Sequence, residues 1–242
     1  MIQIIADTHC HTVASTHAYS TVDENAAYAA QVGLKILALT DHGPAMEDAP
    51  HRWHFHNLSV LPRMINGVFI LRGAEANILD YEGNLDMDRA CYQRLEWINA
   101  SFHRESCNPG TVEEHTRAYL SVAKNPYVDV IAHSGTNIFQ YDYETGVKAF
   151  KEYGKLVEIN EGTQRVRKDS LKNCAEIAKL CKKYEVPVIV NSDAHYKTSL
   201  GSYAVSLKML EDIEFPKKLI LNANLDRFRA YLKEKRGIEL PF

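Results

Sequence analysis

Short apolar runs alternate with amphipathic stretches along almost the whole chain. The runs at 2–6, 35–40, 68–71, 95–101, 128–132, 156–160, 186–190 and 219–221 are each bounded by polar or turn residues and read as buried strands. Between them the apolar spacing predicts helices over 20–33, 58–66, 113–123, 143–153, 170–184, 203–213 and 225–235. The first has Ser20 or Thr21 as its cap, Asp23 and Glu24 in its opening turn and Gly33 at its end. Residues 44–57, rich in His, Trp and Pro, read as a loop, and 77–88 as a polar excursion or small ribbon. Strand–helix alternation of this kind implies parallel strands joined by helical crossovers, an α/β architecture. No linker, internal repeat or low-complexity segment interrupts it.

Composition narrows the class. Hydrophobic residues make up 45% and charged residues 24% of the 242, ordinary for a globular protein. A net charge of −3 argues against broad electrostatic binding to nucleic acid. No apolar run is long enough to span a bilayer, and the first residues lack the basic and apolar regions of a signal peptide. Five cysteines without a Cys-x-x-Cys pair fit free thiols in a reducing compartment, so a cytoplasmic location is expected. Eleven histidines are the feature that asks for an explanation.

They concentrate at strand ends. Asp7-Thr8-His9-Cys10-His11 follows the first apolar run, and strand alternation turns Asp7, His9 and His11 one way and Cys10 toward the core. Later strands finish in His42, Glu75, His103 and His133, then Asp193 and His195. The C-terminal ends of parallel barrel strands share one face, so these groups converge. Imidazole nitrogen and carboxylate oxygen are ligands for zinc, manganese or iron. Polar strand ends that merely cap a barrel mouth are the alternative, but it would have to hold independently at each strand.

Together, the Asp-x-His-x-His opening, Thr40-Asp41-His42-Gly43, Gly73-x-Glu75, the mid-chain histidines and Ser192-Asp193-Ala194-His195 resemble the PHP (polymerase and histidinol phosphatase) superfamily. The stretches TDHGPAMEDAPHRWHF and ILRGAEANI are most similar to its YcdX-type phosphatases. The resemblance covers the chain as one domain, 1–242. It implies a distorted, TIM-like (β/α)7 barrel with three divalent metal ions at its C-terminal mouth, zinc with manganese or iron as alternatives. By the family pattern His9, His11 and Asp193 hold one ion, and Glu75 bridges it to a second held by His103 and His133. His17, His42 and His195 hold the third. The chain departs from close relatives beside two of these ligands, with Arg104-Glu105 after His103 and Ser134-Gly135 after His133.

A bridging carboxylate holds two cations about 3.5–4 Å apart, where they share a hydroxide and grip a phosphoryl group. Three divalent ions against two carboxylates leave a positive pocket suited to a small phosphomonoester. Glu75, Asp193 and His195 are then the catalytic set. A phosphodiesterase, exonuclease or other metallohydrolase is the alternative, and a metal-binding regulatory protein a further one. Arg167 and Lys168 lie in a loop at the active face and, with Arg104, are candidate anion contacts; a solvated charge run is the competing reading. Asp7 and Asp41 neighbour ligand histidines and could accept their second ring N–H. His51, His54 and His56 either line the mouth, where they could donate a proton to the leaving group, or pack on the surface or in the loop; Trp53 and Phe55 form a hydrophobic wall over the pocket or pack in a subunit interface. His115 is expected on a helix surface. A homo-oligomer is compatible with the sequence.

Overall fold

Met1, first residue of the expected 1–242 domain, lies outside the residues described by the computed structural model, which are 2–242. In chain order the elements are β1 (Ala6–Cys10), α1 (Val22–Gln31), β2 (Ile36–Leu39), α2 (Trp53–Asn57), β3 (Met64–Ile65), β4 (Val68–Asn77) and α3 (Arg89–Tyr92). They continue as β5 (Trp97–Ser101), α4 (Val112–Lys124), β6 (Val130–Ile131), α5 (Tyr143–Glu152), β7 (Leu156–Asn160) and α6 (Thr163–Val166). The last are α7 (Leu171–Tyr184), β8 (Val188–Asn191), α8 (Ala204–Asp212) and α9 (Leu225–Arg236). Capping boxes start two helices, Thr21 with Glu24 for α1 and Thr111 with Glu114 for α4.

Seven strands run in the order β1-β2-β4-β5-β6-β7-β8, each parallel to the next, and β3 pairs antiparallel with β4. The last gap, between β8 and β1, carries one backbone bridge, Cys10 to Ala194. Side chains complete it. Asn222 Nδ2 donates to Ala6 O at 2.8 Å and Val190 O at 2.6 Å, while its Oδ1 accepts Val190 N at 3.1 Å. Asn191 Oδ1 accepts the Thr8 amide at 2.8 Å. The result is the near-closed, distorted parallel barrel expected from the sequence.

Period-two alternation sorts each strand between two apolar layers. Leu37, Ile70, Ile98 and Val157 meet residues of α1, α4, α5 and α7 on one face. Ile36, Leu71, Trp97, Leu156 and Ile189 face the other way, where Phe228 and Leu232 of α9 join them. Continuing the second phase toward the strand C-termini replaces apolar residues by polar ones: Leu71 gives way to Glu75 and Asn77, Leu156 to Glu158 and Asn160, Ile189 to Asn191 and Asp193. One end of the barrel is therefore greasy and the other is ligand-bearing. Gly73 lets the neighbouring strands approach β4 closely, because a Cβ there would stand 2.7 Å from Trp97 O and 3.0 Å from Leu39 O.

Several expectations are corrected. The first strand is Ala6–Cys10, not 2–6. Its pairing with β2 slips between Asp7 and Cys10. Ala6 and Cys10 consequently lie in opposite apolar layers despite sharing parity. No helix covers 58–66: after a 3-10 turn at Leu58–Val60 the chain forms the β3–β4 hairpin through Asn66 and Gly67, with φ of 52° and 79°. That Asn-Gly pair was a hairpin signal. The 44–57 loop ends in α2. The 219–221 strand is instead two 3-10 turns with a single bridge, Val188 to Ile220. No helix among the described residues is long and apolar enough to cross a membrane.

Candidate metal centre

The centre is organised by Glu75, fully buried on β4. Its Oε2 lies 3.2 Å from His9 Nε2, 3.5 Å from His11 Nε2 and 2.9 Å from His42 Nδ1. Its Oε1 lies 2.8 Å from His133 Nε2 and 3.4 Å from His103 Nε2. One carboxylate thus addresses two sets of imidazoles with two oxygens. Asp193 Oδ1 approaches His11 Nε2 at 3.2 Å and His9 Nε2 at 3.6 Å. His195 Nε2 stands 2.9 Å from His17 Nε2, and the His17 and His42 rings stack at 5.1 Å.

Buried polar atoms without hydrogen-bond partners collect here: His9 Nε2, both ring nitrogens of His11 and His42, Glu75 Oε2 and His103 Nε2. Orphaned atoms of this kind are costly unless something outside the protein satisfies them. Four overlapping trios place their ligand atoms within 4.8 Å of one another: His9–His11–Asp193, His9–Glu75–His133, His42–Glu75–His103 and His11–His42–His195. The donor set fits a cluster of divalent ions.

Charge tells the same story. Burial alone would raise Glu75 and Asp193, yet His9 and its neighbours hold both well below the usual carboxylate range. Burial would lower His9, but Glu158, Glu75 and Asp193 push it well above its ordinary value. His42 is raised against its own burial, chiefly by Glu75. Burial lowers His11 to about 3, assisted by His42 and His195, and His133 to about 4, assisted by Arg167. Two imidazoles thus supply positive charge to the carboxylates when no metal does, while others keep free lone pairs.

The profile of the PHP domain matches residues 7–233. A protein of Acetivibrio thermocellus named a probable phosphatase is 46% identical over 235 residues, 97% of this chain and 98% of the relative. Another of that name, from Caldicellulosiruptor saccharolyticus, is 45% identical over 94% of this chain and 95% of its own.

The chain belongs to the PHP family.

It is a PHP-domain metal-dependent hydrolase of phosphatase type. Its fold is similar to a histidinol phosphate phosphatase from Lactococcus lactis, solved with zinc, L-histidinol and phosphate, at TM-score 0.57 and 12% identity, covering 88% of this chain and 95% of that one. An archaeal ribonuclease P chain has TM-score 0.61 at 14% identity, over 98% of each chain.

Around this cluster, several side chains do jobs that the sequence did not disclose. Glu158 Oε1 accepts His9 Nδ1 at 2.7 Å, and its Oε2 accepts the amide of His133 at 2.8 Å. That amide belongs to a residue held at φ 27°. Asn77 Oδ1 accepts His103 Nδ1 at 2.7 Å, with its own Nδ2 tied to Asp86 and Gly43 O. Asp48 pairs with His17 Nδ1. Each leaves the opposite ring nitrogen facing the centre. The available signal for Glu158 was a lone acid inside the apolar strand Leu-Val-Glu-Ile-Asn.

Asp7 and Asp41, expected to fill this role, contact no ligand ring. Asp7 sits before the slip in β1, so its carboxylate faces Tyr203 OH at 2.8 Å and Ser192 N at 3.2 Å; burial raises it to about 6. Asp41 accepts Thr12 N at 2.7 Å and Ser15 Oγ at 2.9 Å, and His54 Nε2 approaches it at 3.2 Å. It orders the loop after His11.

A cavity of about 710 Å³ opens over the cluster, with His17, His42, His103, Asp193 and His195 in its wall. Arg167 lines it and reaches Asp193 Oδ2 at 3.3 Å. Arg165, not singled out from sequence, lines it too, with Tyr19 and Tyr196. Lys168 and Arg104 are exposed and absent from its wall, where Glu105 stands instead of Arg104. His51, His54, His56, Trp53 and Phe55 are also absent from the wall; Trp53 is exposed and Phe55 buried in the core. His115 is not a surface residue: it is buried, with Nδ1 on Gln140 O at 2.7 Å and Nε2 accepting Gly110 N at 2.8 Å.

Proposed function

We propose that this PHP hydrolase releases phosphate from a small phosphomonoester at a three-ion centre, as a YcdX-type phosphatase with residues 1–242 as one domain. His9, His11 and Asp193 would hold one ion, His103 and His133 a second, Glu75 would bridge the two, and His17, His42 and His195 would hold the third. The observation that carries this reading is the division of Glu75's two oxygens between two imidazole sets. Zinc fits the nitrogen-rich donors, with manganese or iron as competitors. The names of the relatives and the zinc and phosphate bound in the Lactococcus lactis structure support the reading.

Ions held there would supply Lewis acidity toward a water and the phosphoryl oxygens. The chain's own groups do the rest. Glu75 and Asp193 stay ionised through the neutral range, so they are available as anionic ligands. Arg167, at the cavity wall, offers its guanidinium to a phosphoryl oxygen beside Asp193. Tyr19 and Tyr196 give the cavity an amphipathic rim for the leaving group. A monoester dianion presents three non-bridging oxygens to this positive floor, a diester two.

Steady-state hydrolysis of p-nitrophenyl phosphate against bis-p-nitrophenyl phosphate, at one metal loading, tests this. The monoester is expected to be preferred and inorganic phosphate to inhibit competitively. Preference for the diester, or insensitivity to millimolar phosphate, would favour a phosphodiesterase instead.

A further inference from the structure

A second constellation of ligand-type side chains lies outside the nine-residue cluster. His56 comes from α2, and Asp88 and Cys91 from the start of α3. Their ligand atoms lie within 4.8 Å of one another. His56 Nε2 is buried and has no hydrogen-bond partner, although 3.7 Å from Asp88 Oδ1. Cys91 is 1% exposed. Asp88 is pinned from below, since its Oδ1 accepts the Cys91 amide at 2.8 Å as the cap of α3, and its half-exposed side chain leaves a way in from solvent.

We propose that His56, Asp88 and Cys91 form a separate site for a thiolate-binding divalent ion of the zinc class. One imidazole, one carboxylate and one thiolate make a mixed N/O/S set, which suits zinc and excludes calcium and magnesium, whose ligands are oxygen. Solvent completes the fourth position. Binding breaks the Cys91 S–H bond: the proton goes to solvent, the sulfur lone pair goes to the ion, and nothing is oxidised or reduced. The ion would tie the β2–β3 connection to the β4–β5 connection. His54 of the same α2 contacts Asp41, so the staple also braces the loop beside His11.

Among the described residues no other group able to hold a metal ion includes a cysteine, so a thiolate signal lost with Cys91 reports on this site. Full-length protein is stripped with chelator and reloaded with cobalt(II). A near-ultraviolet thiolate-to-cobalt charge-transfer band is expected. Cys91→Ala should abolish the band and one metal equivalent while phosphoester turnover persists. His56→Gln, at a partly exposed position, should do the same if Cys91→Ala fails to fold. Absence of the band in the unsubstituted protein, or its survival in either variant, overturns the proposal.

Discussion

Glu158 Oε1 lies 2.7 Å from Nδ1 of His9, and both side chains are buried. The contact decides which ring nitrogen of His9 is free. With Nδ1–H given to Glu158, Nε2 is the nitrogen that faces the space between Glu75 and Asp193, where a bound ion would take the place of its proton. All four neighbours of the Glu158 carboxylate are donors: His9 and Asn191 on one oxygen, the His133 amide and Asn160 on the other.

Glu158→Gln therefore has no good orientation, because its NH2 meets donors whichever way the amide turns. The expected result is a drop in metal affinity of about 10–100-fold, the usual effect of losing a ligand's outer partner. Chelator-competition titration measures it. Affinity equal to the parent would mean that Glu158 does not orient His9.

Glu75→Gln should retain the fold and lose hydrolysis, since an amide offers one weak oxygen where two anionic ones are needed. Activity within about tenfold of the parent, roughly 1.4 kcal/mol in barrier, would show that Glu75 is not the bridge.

Stability should depend on pH differently with and without metal. The buried carboxylates beside His9 and His42 raise both above 6.5. The stability they contribute is fully present below 6.5 and is lost as pH rises through their folded values. His11 and His133, lowered to about 3 and about 4, act below 6.5 instead and leave this window unaffected. Chelated protein should lose thermal stability as pH rises above 6.5, while metal-loaded protein, whose ions replace those protons, should not. Parallel pH profiles for the two forms would contradict the charge assignment.

Asn222 predicts a stability effect remote from the chemistry. Asn222→Ala leaves Ala6 O, Val190 O and Val190 N without their partner at the barrel seam. The expected cost is about 2–4 kcal/mol, from buried groups left unsatisfied. Urea unfolding reads it, and a loss below about 1 kcal/mol would mean that the seam closes without Asn222.

The barrel and its ligand face were legible because both rest on local pattern: buried runs, and His or acid residues where those runs end. What depended on long-range geometry was not. The slip in β1, which leaves Asp7 Oδ1 on the His9 amide at 3.2 Å and not on its ring, leaves no mark in Asp-Thr-His-Cys-His. The satisfied burial of His115 depends on Gly110 and Gln140, one on either side of it in the chain. The bonds of Asn222 to Ala6 and Val190 leave no mark in its own stretch of sequence, because β1 and β8 come from distant parts of the chain. Arg165 and Arg167 reach the cavity because α6 follows β7 directly, whereas Lys168 turns out to solvent. The Asn66-Gly67 hairpin was written in the sequence, and helical spacing in 58–66 obscured it.

If the cluster around Glu75 is a multinuclear metal centre that performs phosphoester hydrolysis, turnover follows the metal bound there. Stepwise zinc or manganese addition to chelated protein, with bound metal and p-nitrophenyl phosphate turnover followed together, tests it most directly. Stripped protein is expected to show no turnover, which returns only when at least two equivalents are bound. Undiminished turnover without metal, or saturation below two equivalents, would contradict it.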